Sequence, residues 1–235
     1  MNLLLFSRFE IGSDGLLCID DARLQHLLEV HGKEPGDTVR IGEVNGRMGT
    51  GKIITINTEV AVLEPTLDRL PPAKLPLILV LALPRPKMLR RVLRAVAEFG
   101  VAELHLINSL RVEKSYWQTP VLEEETIRSY LLQGLEQSRD TVVPPVSCHR
   151  RFKPFVEDLL PDLVRGRQSL LAHPGDHPPC PRGADGATLL VVGPEGGFIP
   201  YEVDKLQAAG CNTVSLGPRI LRVENAVTAL LGRLF

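Results

Sequence analysis

The residues best suited to chemistry in this chain lie in two glycine-proline turns near its C-terminus. In Leu189-Leu-Val-Val-Gly-Pro-Glu-Gly-Gly-Phe198 an apolar run enters a turn holding Gly193, Gly196 and Gly197, and Pro200 follows where a helix can start. Residues without a Cβ let the backbone approach a flat ligand and accept positive φ, and free amides beside a helix start can hold the ligand's polar edges. Alone, this turn is hardly more telling than an ordinary strand-to-helix connection. It is not a phosphate-cradling loop, because no Gly-Lys-Ser/Thr follows at the required spacing. The second turn, in Val214-Ser-Leu-Gly-Pro-Arg-Ile-Leu-Arg-Val-Glu-Asn-Ala226, repeats the arrangement of strand, Gly-Pro turn and apolar helix. Two such turns at adjacent strand ends predict a ligand cleft.

The elements that must hold these turns read as an α/β domain over residues 71–235. Apolar runs at 77–83, 104–107, 170–172, 189–192 and 214–216 alternate with helical patterns. Leu89, Val92, Leu93, Val96 and Ala97 mark one helix face, which Gly100 can end in a left-handed cap. Thr119 and Pro120 can cap and start another helix, with Glu123, Glu124 and Glu125 at the positive end of its dipole. Such alternation predicts a mostly parallel sheet covered on both faces. Residues 1–70 read differently, as short apolar runs at 16–19, 38–41, 52–56 and 60–63 between turn residues, with one helical stretch at 21–30. That predicts a small β-barrel, in which Asn45-Gly46 suits a type I′ hairpin turn.

Composition narrows the function classes. At 44% hydrophobic and 23% charged residues the chain is an ordinary globular sequence, not a disordered one. The apolar start at residues 1–6 is too short for a membrane span and lacks the flanks of a signal peptide, which predicts a cytoplasmic protein. Cys18, Cys148, Cys180 and Cys211 form no Cys-x-x-Cys pair, and His173 and His177 are separated by Pro174 and Gly175, so no metal site is predicted. Residues 1–70 carry 7 basic and 11 acidic side chains, against 20 and 17 in residues 71–235. Lys87, Arg90, Arg91 and Arg94 fall on one helical stripe beside Arg85, a candidate for phosphate contacts whose plain alternative is a solvated face. Arg150-Arg151 with Phe152, Lys153 and Phe155 forms a second basic-aromatic cluster, with core burial of the rings as the commoner fate.

Taken with these turns, the sequence resembles the SPOUT class of knotted methyltransferases, and more narrowly the bacterial 16S rRNA uridine-N3 methyltransferases. Gly193-Pro-Glu-Gly-Gly-Phe198 and Ser215-Leu-Gly-Pro-Arg-Ile-Leu-Arg222, with Glu224 and Ala226 following, carry the resemblance. It extends to Arg8-Phe9, His26-Leu-Leu, Pro35-Gly-Asp37, Lys87, Glu98-Phe-Gly100, Glu136-Gln-Ser-Arg139 and His173-Pro-Gly175. The sequence departs from the family at His31-Gly32, where it often has Leu-Arg, and at Asn225, where Thr is common.

The resemblance implies an N-terminal PUA-like barrel that helps to hold RNA, and a C-terminal SPOUT domain with a trefoil knot that forms a homodimer. It implies S-adenosylmethionine as cofactor, held by Leu171, His173, Gly193, Pro194, Glu195, Gly196, Gly197, Leu216, Gly217, Ile220, Leu221, Arg222, Glu224, Asn225 and Ala226. Its implied partner is 16S rRNA in the small ribosomal subunit, methylated at N3 of uridine 1498, with Arg8, His26 and the Lys87 to Arg94 stripe on the RNA. Methylating N3 requires loss of its proton and stabilisation of a developing anion, work suited to a fixed cation. Arg222 is the first candidate and Arg139 the second; the alternative for Arg222 is bracing the loops against Glu224 or Glu195. Glu195 and Glu224 are read as structural. Val223, Ala226, Val227, Leu230 and Leu231 give the last helix an apolar stripe that a second copy or the chain's own domain must cover. Two other readings share the fold: a non-catalytic RNA-binding protein, and a methyltransferase of another RNA such as tRNA.

Overall fold

The computed structural model describes residues 2–29, 32–184 and 186–235. Val30, where the first expected helix was to end, and His31 of the His31-Gly32 departure lie outside the described residues. The chain divides into two units, Met1–Ala73 with Leu132–Val143, and Lys74–Leu131 with Pro144–Phe235.

In the first unit β1 (Leu4–Phe6), β2 (Leu17–Ile19), β3 (Thr38–Glu43), β4 (Met48–Ile56) and β5 (Ala61–Arg69) form one sheet in the order β1-β3-β4-β5-β2. Only β1 and β3 run parallel. The sheet ends on β1 and β2, so the expected barrel is present as a half-barrel. Leu4, Phe6, Leu17, Ile19, Ile41, Ile53 and Leu63 fill its concave core, closed by Leu24 and Leu27 of α1 (Ala22–Glu29). Asp21 starts that helix by accepting the Arg23 amide at 2.9 Å. The turn after β3 is not type I′, because only Asn45 has positive φ (61°), at the third position of the turn closed by Gly46 N donating to Glu43 O. Asn45 is held there: its amide donates to Thr141 O at 2.8 Å and its Oδ1 accepts from Val143 N at 2.9 Å.

The second unit is built on β6 (Leu75–Ala82), β7 (Val101–Ile107), β8 (Val146–His149), β9 (Gln168–Ala172), β10 (Thr188–Val192) and β11 (Asn212–Val214). All pairings are parallel and the order is β11-β9-β10-β6-β7-β8. Central strands β6 and β10 are almost wholly apolar and buried, as a sheet covered on both faces requires. Pro86 opens α2 (Pro86–Glu98), whose Leu89, Val92, Leu93, Val96 and Ala97 are buried, and Gly100 at φ 72° follows its end. Thr119 caps only a 3-10 turn, Pro120–Leu122; α3 (Glu124–Ser138) starts after a break at Glu123, whose extended backbone cannot continue a helix. Then come α4 (Phe152–Pro154), a π turn (Phe155–Leu159), α5 (Leu160–Val164), α6 (Pro200–Ala208) and α7 (Val223–Leu234). Val223, Val227, Leu230 and Leu231 of α7 are buried within the chain's own unit, where α7 packs on α2. The apolar stripe of the last helix therefore does not by itself require a second copy.

Candidate active site

In a parallel sheet the strands end on a common edge, where the loops that follow them gather. Three loops meet at the β11-β9-β10 end: His173-Pro-Gly175 after β9, residues 193–198 after β10, and 215–222 after β11. Because β9 lies between β10 and β11, the two glycine turns do not leave adjacent strands as expected; the His173 loop separates them. It also joins them. His173 N donates to Val214 O at 3.0 Å, and a Cβ on Gly197 would stand 3.8 Å from His173 Cε1.

A cleft between the β9 and β11 loops is lined by Ala172, His173, Pro174, Val214, Ser215, Leu216, Gly217, Arg219, Ile220, Leu221, Ala226 and Leu230. Of the residues expected to hold a cofactor, it brings together His173, Leu216, Gly217, Ile220, Leu221 and Ala226. Gly193, Pro194, Glu195, Gly196 and Gly197 form the neighbouring turn, and Leu171 is fully buried inside β9. Arg222 is the exposed N-cap of α7, Asn225 is exposed, and Glu224 is buried. Burial first, then the charges of His177 and Arg111, hold His173 below the ordinary histidine value of 6.5, so its imidazole is neutral at neutral pH.

The first glycine turn is braced from outside. Glu195 Oε1 accepts the Arg85 amide at 2.9 Å, Arg111 Nη1 donates to Gly196 O, and Gly197 N closes the turn on Pro194 O at 2.8 Å. Buried Glu202 on α6 accepts Leu110 N at 2.7 Å and Ile199 N at 3.1 Å, tying the loop after β7 to the start of α6. The second turn has little such support: Ser215 Oγ accepts Gly217 N at 3.0 Å, and residues 217–222 are exposed, Ile220 to 81%.

The bracing pair considered for Arg222 is not formed. Glu224 pairs with Arg91 at 3.3 Å, Glu195 serves the Arg85 amide, and among the described residues Arg222 makes no ion pair. Arg139 lies just past α3, exposed, at φ 59°, in the first unit's share of the chain. The basic stripe of α2 splits: Lys87 and Arg90 are exposed, Arg91 is turned to Glu224, and Arg94 lies 5.1 Å over the Tyr130 ring. Arg8 is exposed and 3.5 Å from Glu43, and His26 is half-buried on α1. In the second basic-aromatic cluster Phe155 is buried in the core, Phe152 is half-buried with its ring 6.3 Å from that of Phe198, and Arg150 lies over Trp117. Sequence reasoning missed Arg111, Glu202 and the Arg85 amide at this edge. Arg111 carried one readable signal, a cation shortly after an apolar strand run.

Residues 71–234 match the model of the RNA methyltransferase domain family. A Treponema pallidum protein named ribosomal RNA small subunit methyltransferase E is 31% identical over 97% of this chain and 88% of its own length. A Mycobacterium bovis protein of the same name is 26% identical over 88% and 81%. The fold is shared with the Neisseria gonorrhoeae ribosomal RNA small subunit methyltransferase E crystallised with S-adenosyl methionine, at a TM-score of 0.74 and 21% identity over 98% of this chain and 95% of that one. On the sequence matches, this chain belongs to the RNA methyltransferase domain family, in its ribosomal RNA small subunit methyltransferase E branch.

Proposed function

We propose that the protein is a SPOUT-class S-adenosylmethionine-dependent methyltransferase that modifies N3 of a uridine in 16S rRNA, uridine 1498 by its resemblance, within small ribosomal subunits in the cytoplasm. The observation that carries this reading is the meeting of the His173, Gly193 and Leu216 loops at one sheet edge. The residues there fit the cofactor. Gly217, at φ 112°, has open space within 4 Å of where a Cβ would stand, and Ile220 and Leu221 leave apolar surface exposed beside it. Main-chain groups of 173–175 and 215–217 would hold the polar edges of an adenosine, and Leu216, Ile220, Leu221 and Ala226 its apolar faces. When bound, S-adenosylmethionine supplies a methyl group on a sulfonium.

The chain's own part is to place N3 and to favour its deprotonated form. Arg222, unpaired with the nearby acids and at the positive end of the α7 dipole, is the cation proposed to stabilise the uridine anion, with Arg139 as the second. Residues 71–235 are proposed to carry the cofactor and residues 1–70, as a PUA-like module, to help hold RNA through Arg8 and His26. On α2 the phosphate contacts narrow to Lys87 and Arg90. A trefoil knot is supported by the loop after β9: Pro178 O and Cys180 N bond Ser215, and the Gly183 and Ala184 amides bond the carbonyls of Arg233 and Leu234. This loop therefore lies against both the end of β11 and the end of α7. A homodimer is proposed on the family resemblance. Mapping modified nucleotides in cells lacking the gene tests the reading: N3-methyluridine should vanish from one 16S rRNA position and return with the wild-type gene. Loss of a tRNA mark, or of none, would replace it with the other-RNA or the non-catalytic reading.

A further inference from the structure

A second cleft, of about 350 Å³, opens at the C-terminal end of β7 and shares no lining residue with the first. Its walls are Asn108, Ser109, Lys114, Trp117 and Arg150, with Leu110, 73% exposed, at the lip. Two of these side chains are cations and none is an acid; neighbouring Glu113 accepts the Tyr116 hydroxyl at 3.2 Å. Trp117 Nε1 donates to Asn108 Oδ1 at 2.9 Å. Since the indole can only donate, that bond fixes the amide oxygen inward and leaves the Asn108 NH2 as a donor. The Arg150 guanidinium sits over the Trp117 ring, 5.5 Å from its centre. Ser109 is 3% exposed, yet its hydroxyl has no hydrogen-bond partner among the described residues. Buried hydroxyls are almost always paired, so this one, on a residue that lines the cleft, leaves a hydrogen-bonding position unfilled.

We propose that this cleft binds one unpaired nucleotide of the RNA substrate. Lys114 and Arg150 take the phosphate, the Asn108 amide and Ser109 hydroxyl take the base edge, and the guanidinium held on Trp117 with Leu110 offers a surface for the base face. These are the contacts by which unstacked bases are read, by planar stacking and edge hydrogen bonds. Position supports the assignment: the loop Asn108-Ser109-Leu110-Arg111 lines this cleft and, through Arg111, touches Gly196 of the first glycine turn. A nucleotide bound here would enter beside the candidate active site. The inference rests on the reading of the protein as an RNA methyltransferase.

Trp117 is the chain's one tryptophan, so its fluorescence reports on this cleft alone. Titrating the full-length protein at low salt with uridine 5′-monophosphate and with a short unpaired oligouridylate should give a saturable change. Affinity for the oligouridylate should fall about tenfold in Arg150→Gln and in Lys114→Gln, and about threefold in Ser109→Ala. Calorimetry with S-adenosylmethionine should be unchanged in the same proteins; should Arg150→Gln fail to fold, the exposed Lys114→Gln decides. An absent fluorescence change with all four nucleoside 5′-monophosphates and with the oligouridylate, or equal affinity in wild type and Lys114→Gln, overturns the cleft. Methyl transfer to small subunits by wild type in that event leaves the proposed function standing. Nucleotide binding at Trp117 without any methyl transfer does the reverse.

Discussion

The two glycine turns have nearly the same sequence pattern and opposite physical situations. The turn at 193–198 is a wall: Arg85 and Arg111 hold it from outside, Glu202 fixes its surroundings, and Phe198 is buried beneath it. The turn at 217–222 is a cover, exposed along its length, with apolar Ile220 and Leu221 lining the cleft and Arg222 held by no acid among the described residues. A site needs both. A wall already tied by its own hydrogen bonds sets geometry at no cost when ligand arrives, whereas an exposed cover gains its order from the ligand it meets. Substitutions in the wall should therefore act on folding, and those in the cover on binding and turnover.

The largest expected effect is in the cover. Arg222→Ala should lower turnover by about 100- to 1000-fold, the range for loss of one group that stabilises a developing anion, while S-adenosylmethionine affinity stays within about threefold. Steady-state kinetics beside calorimetry check it; a matched loss of both would make Arg222 a cofactor ligand. In the wall, Glu202→Ala leaves the Leu110 and Ile199 amides without their acceptor, which should cost about 2–3 kcal/mol in denaturant unfolding. An unchanged midpoint would show that the loop after β7 is not fixed by this residue.

The glycines themselves sharpen the comparison. At Gly217, φ 112° is disfavoured for a β-branched residue, but the turn is exposed with nothing within 4 Å and can relax, leaving the turn misshaped and the added side chain in the ligand's approach space; Gly217→Val should weaken S-adenosylmethionine binding about tenfold or more with a small drop in melting temperature. Gly196 has no positive φ, but a Cβ there would stand 3.0 Å from Arg111 Cδ and 3.3 Å from Arg111 Cβ, crowding the side chain that braces the turn; Gly196→Val should lower the melting temperature by about 2–4 °C and weaken S-adenosylmethionine binding about threefold or less. Equal effects in the two variants would erase the distinction between wall and cover.

The smallest effect concerns pH. Burial holds His105, His149 and His173 below 6.5 in the folded protein, so the unfolded chain binds more protons. Their contribution to stability is fully present above the unfolded value and is lost as pH falls through the lowered folded values. Melting temperature should drop between about pH 7 and 5, and less so in His149→Gln. A flat profile would contradict the burial of these rings.

The parts of this fold that were legible in the sequence are those governed by local chemistry. Gly100 ends α2 at positive φ and Pro200 opens α6, because backbone freedom and ring closure act within a few residues. The apolar runs of β6 and β10 announced a covered sheet. Strand order was not legible, since nothing within β10 or β11 states that β9 will lie between them. Strand β8 escaped notice because its Val146-Ser-Cys-His149 is short and mixed in polarity, as an edge strand can be. Arg111 and Glu202 look like surface charges until the fold brings them to Gly196 and to the Leu110 and Ile199 amides. The α2 stripe shows the converse: spacing placed four cations together, but tertiary contacts with Glu224 and Tyr130 claimed two of them.

Every role proposed for the three-loop edge depends on its transferring methyl to N3 of a 16S rRNA uridine. Small subunits lacking the mark, incubated with this protein and isotopically labelled S-adenosylmethionine and then digested for mass spectrometry, test it most directly. Labelled N3-methyluridine is expected at one position of 16S rRNA, nearly absent with Arg222→Ala. Label on carbon 5 of a pyrimidine, on ribose, or in tRNA alone would contradict it.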